Sequence, residues 1–192
     1  MSWYSKVVWS EGLFLRPHHF QQSDRYLENL LESRVRNVTP YPWGFSVLEI
    51  DRDLAQQSRI GLRRAVGVMP DGTPFALPDN SPLPAAIEVP ENAAGQIVWL
   101  SLPLAAANTR EVEDTLNGSA SRYVPASEML IDSTASLRTE EEIDVAHPRL
   151  TLELRKTSKA GYVGLALGRI LEVRDRAILF DEKFAPPVLV CS

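Results

Sequence analysis

Leu150, Leu152 and Leu154 alternate with Thr151, Glu153 and Arg155. A period of two sorts side chains by face only in a β-strand, where successive residues point to opposite sides. A turn at Thr157–Gly161 and a long apolar return over Tyr162–Val173 follow, and Arg174-Asp175-Arg176 turns the chain into Ile178–Phe180. The pattern predicts a three-strand antiparallel meander. Ile60, Leu62, Val66 and Val68 carry the same period, and Asp71-Gly72 is expected to supply the positive-φ residues of a tight hairpin into Phe75–Leu77. Trp43–Asp51 reads as a further strand and Ile87–Val89 as a short one. Ile97–Leu104 is apolar on both faces and belongs in the middle of a sandwich. Residues 108–142 are small, polar and acidic, and only Tyr123–Val124 and Met129–Ile131 read there as strand fragments.

One stretch obeys a different period. Phe20, Leu27, Leu30, Leu31, Val35 and Val38 fall on one stripe of a 3.6-residue repeat. Pro17 suits a first helical turn, Pro40 and Pro42 stop the pattern, and Glu32 with Arg36 forms a supportive i,i+4 pair. These signals predict a helix over 17–38, its stripe packed against protein, either its own sandwich or a neighbouring protomer. Trp3–Trp9 ahead of it reads as a short strand or an extended arm. The fold class is mainly β: an antiparallel β-sandwich with one N-terminal α-helix. A single domain is expected over 1–187, with 188–192 starting a linker. The apolar ending Pro186–Ser192 is expected of a fragment cut from a longer chain.

A chain of 192 residues can bury a substantial core, and 44% hydrophobic with 23% charged residues is ordinary globular composition. The net charge of −5, with no lysine–arginine stripe, excludes a nucleic-acid footprint; the densest basic group, Arg59, Arg63 and Arg64, is too thin to track phosphates. A single Cys191 excludes an internal disulfide and reads as incidental packing. No apolar run reaches the ~20 residues of a membrane helix, and no signal peptide is visible. A cytosolic chain without direct membrane insertion is expected.

The chain shows no constellation for catalysis. His18 and His19 point about 100° apart on a helix and cannot share one ion, and His147 has no companion at ligand spacing. Gly44-Phe45-Ser46 begins like a nucleophile elbow, but Leu48 replaces the second glycine. Gly161, Gly164 and Gly168 have the wrong spacing for a dinucleotide loop. Glu140-Glu141-Glu142 with Asp144 lacks calcium-loop spacing and reads as a solvated loop. Asn37 and Asn117-Gly118-Ser119 fit the glycosylation pattern, but a chain without a secretory signal would not meet that enzyme. No enzyme, cofactor or metal is expected.

The run Val8–Tyr26 is the most specific motif. Trp9, Glu11, Gly12, Leu13, Phe14, Leu15, Pro17, His19, Phe20, Gln21, Gln22, Asp24 and Arg25 match the opening W-x-E-G-[ML]-F-L-x-P-x-H-F-Q-Q-x-D-R of the TssK (ImpJ/VasE) family of type VI secretion baseplate subunits. Tyr41–Phe45, Pro70–Phe75 and Asp181–Pro187 extend the resemblance. It implies a non-enzymatic structural adaptor with an N-terminal shoulder β-sandwich similar to that of phage receptor-binding proteins. It also implies a homotrimer that docks on the TssF–TssG wedge. A C-terminal part, beyond this sequence, would reach TssL and TssM at the cytoplasmic face of the inner membrane. The residues expected to carry assembly are the apolar arm Trp3, Tyr4, Trp9, Leu13 and Phe14, too many large side chains for one short edge strand to bury. Equally, Trp9 and Phe14 could complete the domain's own core. A second reading is a carbohydrate-binding or hydrolytic β-sandwich, with Trp3, Tyr4, Trp9 and Trp43 stacking on sugars; it requires those rings to line a concave pocket.

Overall fold

The period-two segments all become strands, but they are shared between sheets rather than laid down in sequence order. The computed structural model describes residues 4–106, 109–113, 121–133 and 139–189. Trp3, Asn117-Gly118-Ser119 and Cys191, singled out above, lie outside them. The chain forms two compact units, Met1–Pro42 and Trp43–Ser192.

The first unit holds an arm and the helix α1 (Pro17–Val38), with the bounds the sequence predicts and Pro17 in its first turn. Residues 5–10 contain no strand, so of the two readings the extended arm holds. Gly12 bends the arm with φ +77°, and Leu13 N donates to Ser10 O at 3.2 Å. Arg36 meets Glu32 at 2.6 Å, the i,i+4 pair read from the sequence.

In the second unit come β1 (Gly44–Ile50), α2 (Arg52–Ala55), β2 (Arg59–Ile60), β3 (Leu62–Val68), β4 (Pro74–Leu77), β5 (Ile87–Glu88) and β6 (Ile97–Pro103). β7 (Tyr123–Ile131), β8 (Glu140–Pro148), β9 (Thr151–Arg155), β10 (Tyr162–Arg174) and β11 (Ala177–Phe180) complete it. One sheet has the order β1-β3-β4 and the other β11-β10-β6-β9, while β2-β5 and β7-β8 form two-stranded ladders. These pairings are all antiparallel. Phe45, Leu62, Ala65, Phe75 and Leu77 from the first large sheet share one core with Val98, Leu100, Leu102, Leu165, Leu167 and Ile170 from the second. The mainly-β antiparallel sandwich with an N-terminal helix is therefore the fold. Val188 forms a parallel bridge to Phe45, and Leu189 N donates to Phe45 O at 2.9 Å. Two of the five residues assigned above to a linker thus lie along β1.

Three local expectations are corrected. β9, β10 and β11 are not a continuous meander: β6 lies between β9 and β10, pairing Leu100 with Leu152 on one side and with Leu165 on the other. A strand apolar on both faces is best covered at the centre of a sheet, and β6 takes that place. At the β3–β4 turn only Gly72 has positive φ; Asp71 contributes its side chain instead, accepting from Thr73 N at 3.1 Å. The acidic run Glu140–Asp144 is no loop. It lies in β8, paired with β7 over nine unbroken register positions from Tyr123–Pro148 to Ile131–Glu140.

Two arginines fix the root of this β7–β8 ribbon. Arg122, just before β7, is buried; it donates to Asp71 Oδ2 and Pro103 O, each at 2.6 Å, and to Thr73 Oγ1. Burial, the largest single influence, disfavours its charge, but the Asp71 carboxylate and Tyr123 together outweigh it and raise its pKa above the ordinary arginine value. Arg149, just after β8, donates to Ser121 O at 2.9 Å and to Glu113 O and Ser121 Oγ at 2.7 Å.

Candidate assembly interface

The family-like motif builds a hook. Arg16 N, at the start of α1, donates to His19 Nδ1 at 3.1 Å, so His19 serves as a helix-start acceptor. Trp9 of the arm lies against that first turn, its ring 6.3 Å from His19 and 6.4 Å from Phe20, centroid to centroid. Gln22 Nε2 then donates to Ser5 O at 2.7 Å, and Arg25 reaches Gln22 Oε1 at 3.5 Å. Trp9, Gly12, Pro17, His19, Phe20, Gln22 and Arg25 thus fold the arm back along the helix.

The hook leaves much apolar surface uncovered. Of the residues expected to carry assembly, Tyr4 is 47%, Trp9 51% and Phe14 79% exposed, and Leu13 is half-buried. Trp9 and Phe14 thus each keep at least half of their surface open. Leu15 is exposed as well, and α1 has no buried residue: Phe20, Leu27, Leu31, Val35 and Val38 are all at least half open to solvent, or nearly so. Leu31, 64% exposed, has no cavity to leave behind. Leu31→Ala is expected to change the stability of this chain by at most about 0.5 kcal/mol in a denaturant melt, against the ~2–5 kcal/mol of a buried leucine.

Residues tested for chemistry are placed in structural roles. Ser46 Oγ donates to Val66 O at 3.1 Å across the β1–β3 ladder. His147 contacts Asn80 O through Nδ1 at 3.0 Å, with Glu128 Oε1 3.5 Å from Nε2. Among the described residues no group of three His, Cys, Asp or Glu is arranged to hold a metal. No helix of the described residues is long and apolar enough to cross a membrane. A cleft of about 410 Å³ is lined by Leu104, Ala105, Ala106, Thr109, Arg110, Glu111, Glu113 and Arg122. It contains no aromatic ring, Trp43 packs against the core, and Tyr4 and Trp9 belong to the arm. The sugar-stacking reading thus gains no support from it.

The architecture is that of an antiparallel β-sandwich protein with an appended, apolar arm and helix. The chain belongs to the family described as bacterial type VI secretion, VC_A0110, EvfL, ImpJ, VasE, whose profile matches residues 19–192. It is 40% identical over 191 residues to the type VI secretion system baseplate component TssK1 of Pseudomonas aeruginosa PAO1, covering 98% of this chain and 43% of that protein. A crystal structure of TssK superposes with a TM-score of 0.88 at 34% identity, covering 96% of this chain and 42% of the other. A chain of the TssK-TssF-TssG baseplate subcomplex, seen by cryo-electron microscopy, superposes with a TM-score of 0.82 at 25% identity, covering 96% and 62%. The likeness is that of a TssK N-terminal domain, and the chain spans less than half the length of the curated relative it matches.

Proposed function

We propose that this chain is a non-enzymatic structural part of a type VI secretion baseplate that docks onto a TssF–TssG wedge through its arm and α1. The observation that carries the reading is the likeness, over 96% of the chain, to a chain of the TssK-TssF-TssG subcomplex. The exposed rings of Tyr4, Trp9 and Phe14 and the uncovered stripe of α1 support it, because clustered exposed aromatic and aliphatic side chains mark interfaces. As part of a longer protein it would act as a homotrimer whose C-terminal region reaches TssL and TssM at the cytoplasmic face of the inner membrane. That wider arrangement is supported by the family resemblance alone.

The test is capture of co-expressed TssF and TssG by this chain, wild type against Trp3→Ala and Trp9→Ala. At an interface of this kind, loss of an aromatic anchor is worth ~2 kcal/mol or more, so capture is expected to weaken at least about thirtyfold while melting stays near wild type. Early melting with capture intact in the folded fraction would make the arm part of the fold and place the contact elsewhere.

A further inference from the structure

The β7–β8 ribbon carries a composition found nowhere else in the chain. Its eighteen residues hold five carboxylates, Glu128, Glu140, Glu141, Glu142 and Asp144, and no lysine or arginine. The whole chain has 25 acids and 20 bases. Removing the ribbon's five acids leaves 20 against 20, so the net charge of −5 equals the charge of these two strands.

Apolar side chains are interleaved with those acids. Four successive cross-strand pairs, Glu128–Ile143, Met129–Glu142, Leu130–Glu141 and Ile131–Glu140, each set an aliphatic side chain opposite a carboxylate. The pairs alternate between the two faces, so each face shows the same mixture. Met129, Leu130, Ile131 and Ile143 are all exposed, and among the described residues no other helix or strand packs extensively on the ribbon. Asp144 accepts from Ser127 and Glu128 lies near His147, but no cation among the described residues meets Glu140, Glu141 or Glu142. A two-stranded ribbon is marginal in water without an apolar partner. This one is nevertheless held at its root by the buried Arg122 and by Arg149.

We propose that the distal half of this ribbon is a docking surface for a protein partner presenting lysine or arginine beside aliphatic side chains. A long cationic side chain lays its methylenes along Met129 or Ile131 and brings its charge to the carboxylate opposite. A ribbon-to-ribbon contact between two copies is disfavoured, because it would set five carboxylates against five. The inference builds on the baseplate reading above, since its probe is the TssF–TssG complex.

The experiment measures capture of co-expressed TssF–TssG by wild type, by the triple variant E140K/E141K/E142K and by Ile143→Ser, from about 0.05 to about 0.5 M salt, a range that shortens the screening length about threefold. Wild-type capture is expected to weaken with salt. The triple variant is expected to lose at least about tenfold and Ile143→Ser about fivefold at low salt, with melting unchanged. Capture by both variants equal to wild type, with Trp9→Ala still defective, overturns this inference and leaves the baseplate reading standing. No capture by wild type overturns both. Wild-type self-association that the charge reversal alters would assign the surface to a second copy and overturn it as well.

Discussion

Arg122→Met is expected to destabilise the β domain by about 3–5 kcal/mol, the range for leaving one member of a buried ion pair without its partner. The guanidinium is 7% exposed and the Asp71 side chain 20%, so water replaces the lost contacts poorly. Methionine matches the length but offers no donor. Asp71 Oδ2, Thr73 Oγ1 and the Pro103 carbonyl would each lose a hydrogen bond from one nitrogen-rich head. Those three acceptors belong to the β3–β4 turn, β4's approach and the end of β6, while Arg122 itself immediately precedes β7. One side chain therefore ties the ribbon's root to both large sheets. A loss of about 3 kcal/mol corresponds to a melting shift of roughly 6–12 °C for a domain of this size. Pairing the change with Asp71→Asn is expected to recover part of the loss, since the second change removes the stranded charge. A single variant melting within about 1 kcal/mol of wild type would show that the pair is hydrated and carries no structural burden.

The sequence disclosed most where one physical signal dominated. α1 was legible to the residue because its apolar period, Pro17 and the Pro40–Pro42 stop agree. β6 and β10 were legible because their inward faces are largely aliphatic, whereas β3 was located without its phase: after Leu62 the buried side passes to Ala65 and Gly67, not to Val66 and Val68. The neighbours of β9 were not: Leu152 alternates with Glu153 whichever strand lies beside it, and pairing to β6 rather than β10 is a long-range choice. Of the β7–β8 ribbon only the two ends of β7, Tyr123–Val124 and Met129–Ile131, were legible, for a different reason. Its strands carry Pro125 and four acids in β8, all poor in β-propensity, and the nine-position ladder outweighs those preferences. Arg122 and Arg149 gave no sequence signal either, since an arginine beside a strand is ordinarily a solvated end. For the arm, the motif located Trp9 and His19, but their geometry, a ring against a helix start, came only with the structure.

Gly67→Ala is expected to be the more damaging of two otherwise similar alanine substitutions, costing about 3 kcal/mol or more, at or beyond the upper end for overpacking a filled site. Gly67 sits in β3 opposite Phe45 of β1. A Cβ there would overlap the Gly44 carbonyl oxygen, lie 2.9 Å from the Phe75 ring and 3.1 Å from the Phe45 Cα. Two of those three neighbours are backbone. No rotamer change relieves them, so the β1–β3 ladder itself must move, at the place where the register already shifts between Phe45 and Val47. Phe75 is no escape route, because its ring is buried edge-on against Phe45 with centroids 6.0 Å apart. Gly164 in β10 supplies the control. Its added Cβ would meet the Trp99 ring at 3.1 Å but no backbone atom closer than 3.6 Å. A half-buried indole can yield by a few tenths of an ångström, so Gly164→Ala is expected to cost at most about 1 kcal/mol. Chemical denaturation of the two variants side by side decides it: equal losses would mean that β1 and β3 yield as easily as one side chain, against the close backbone approach at Gly67.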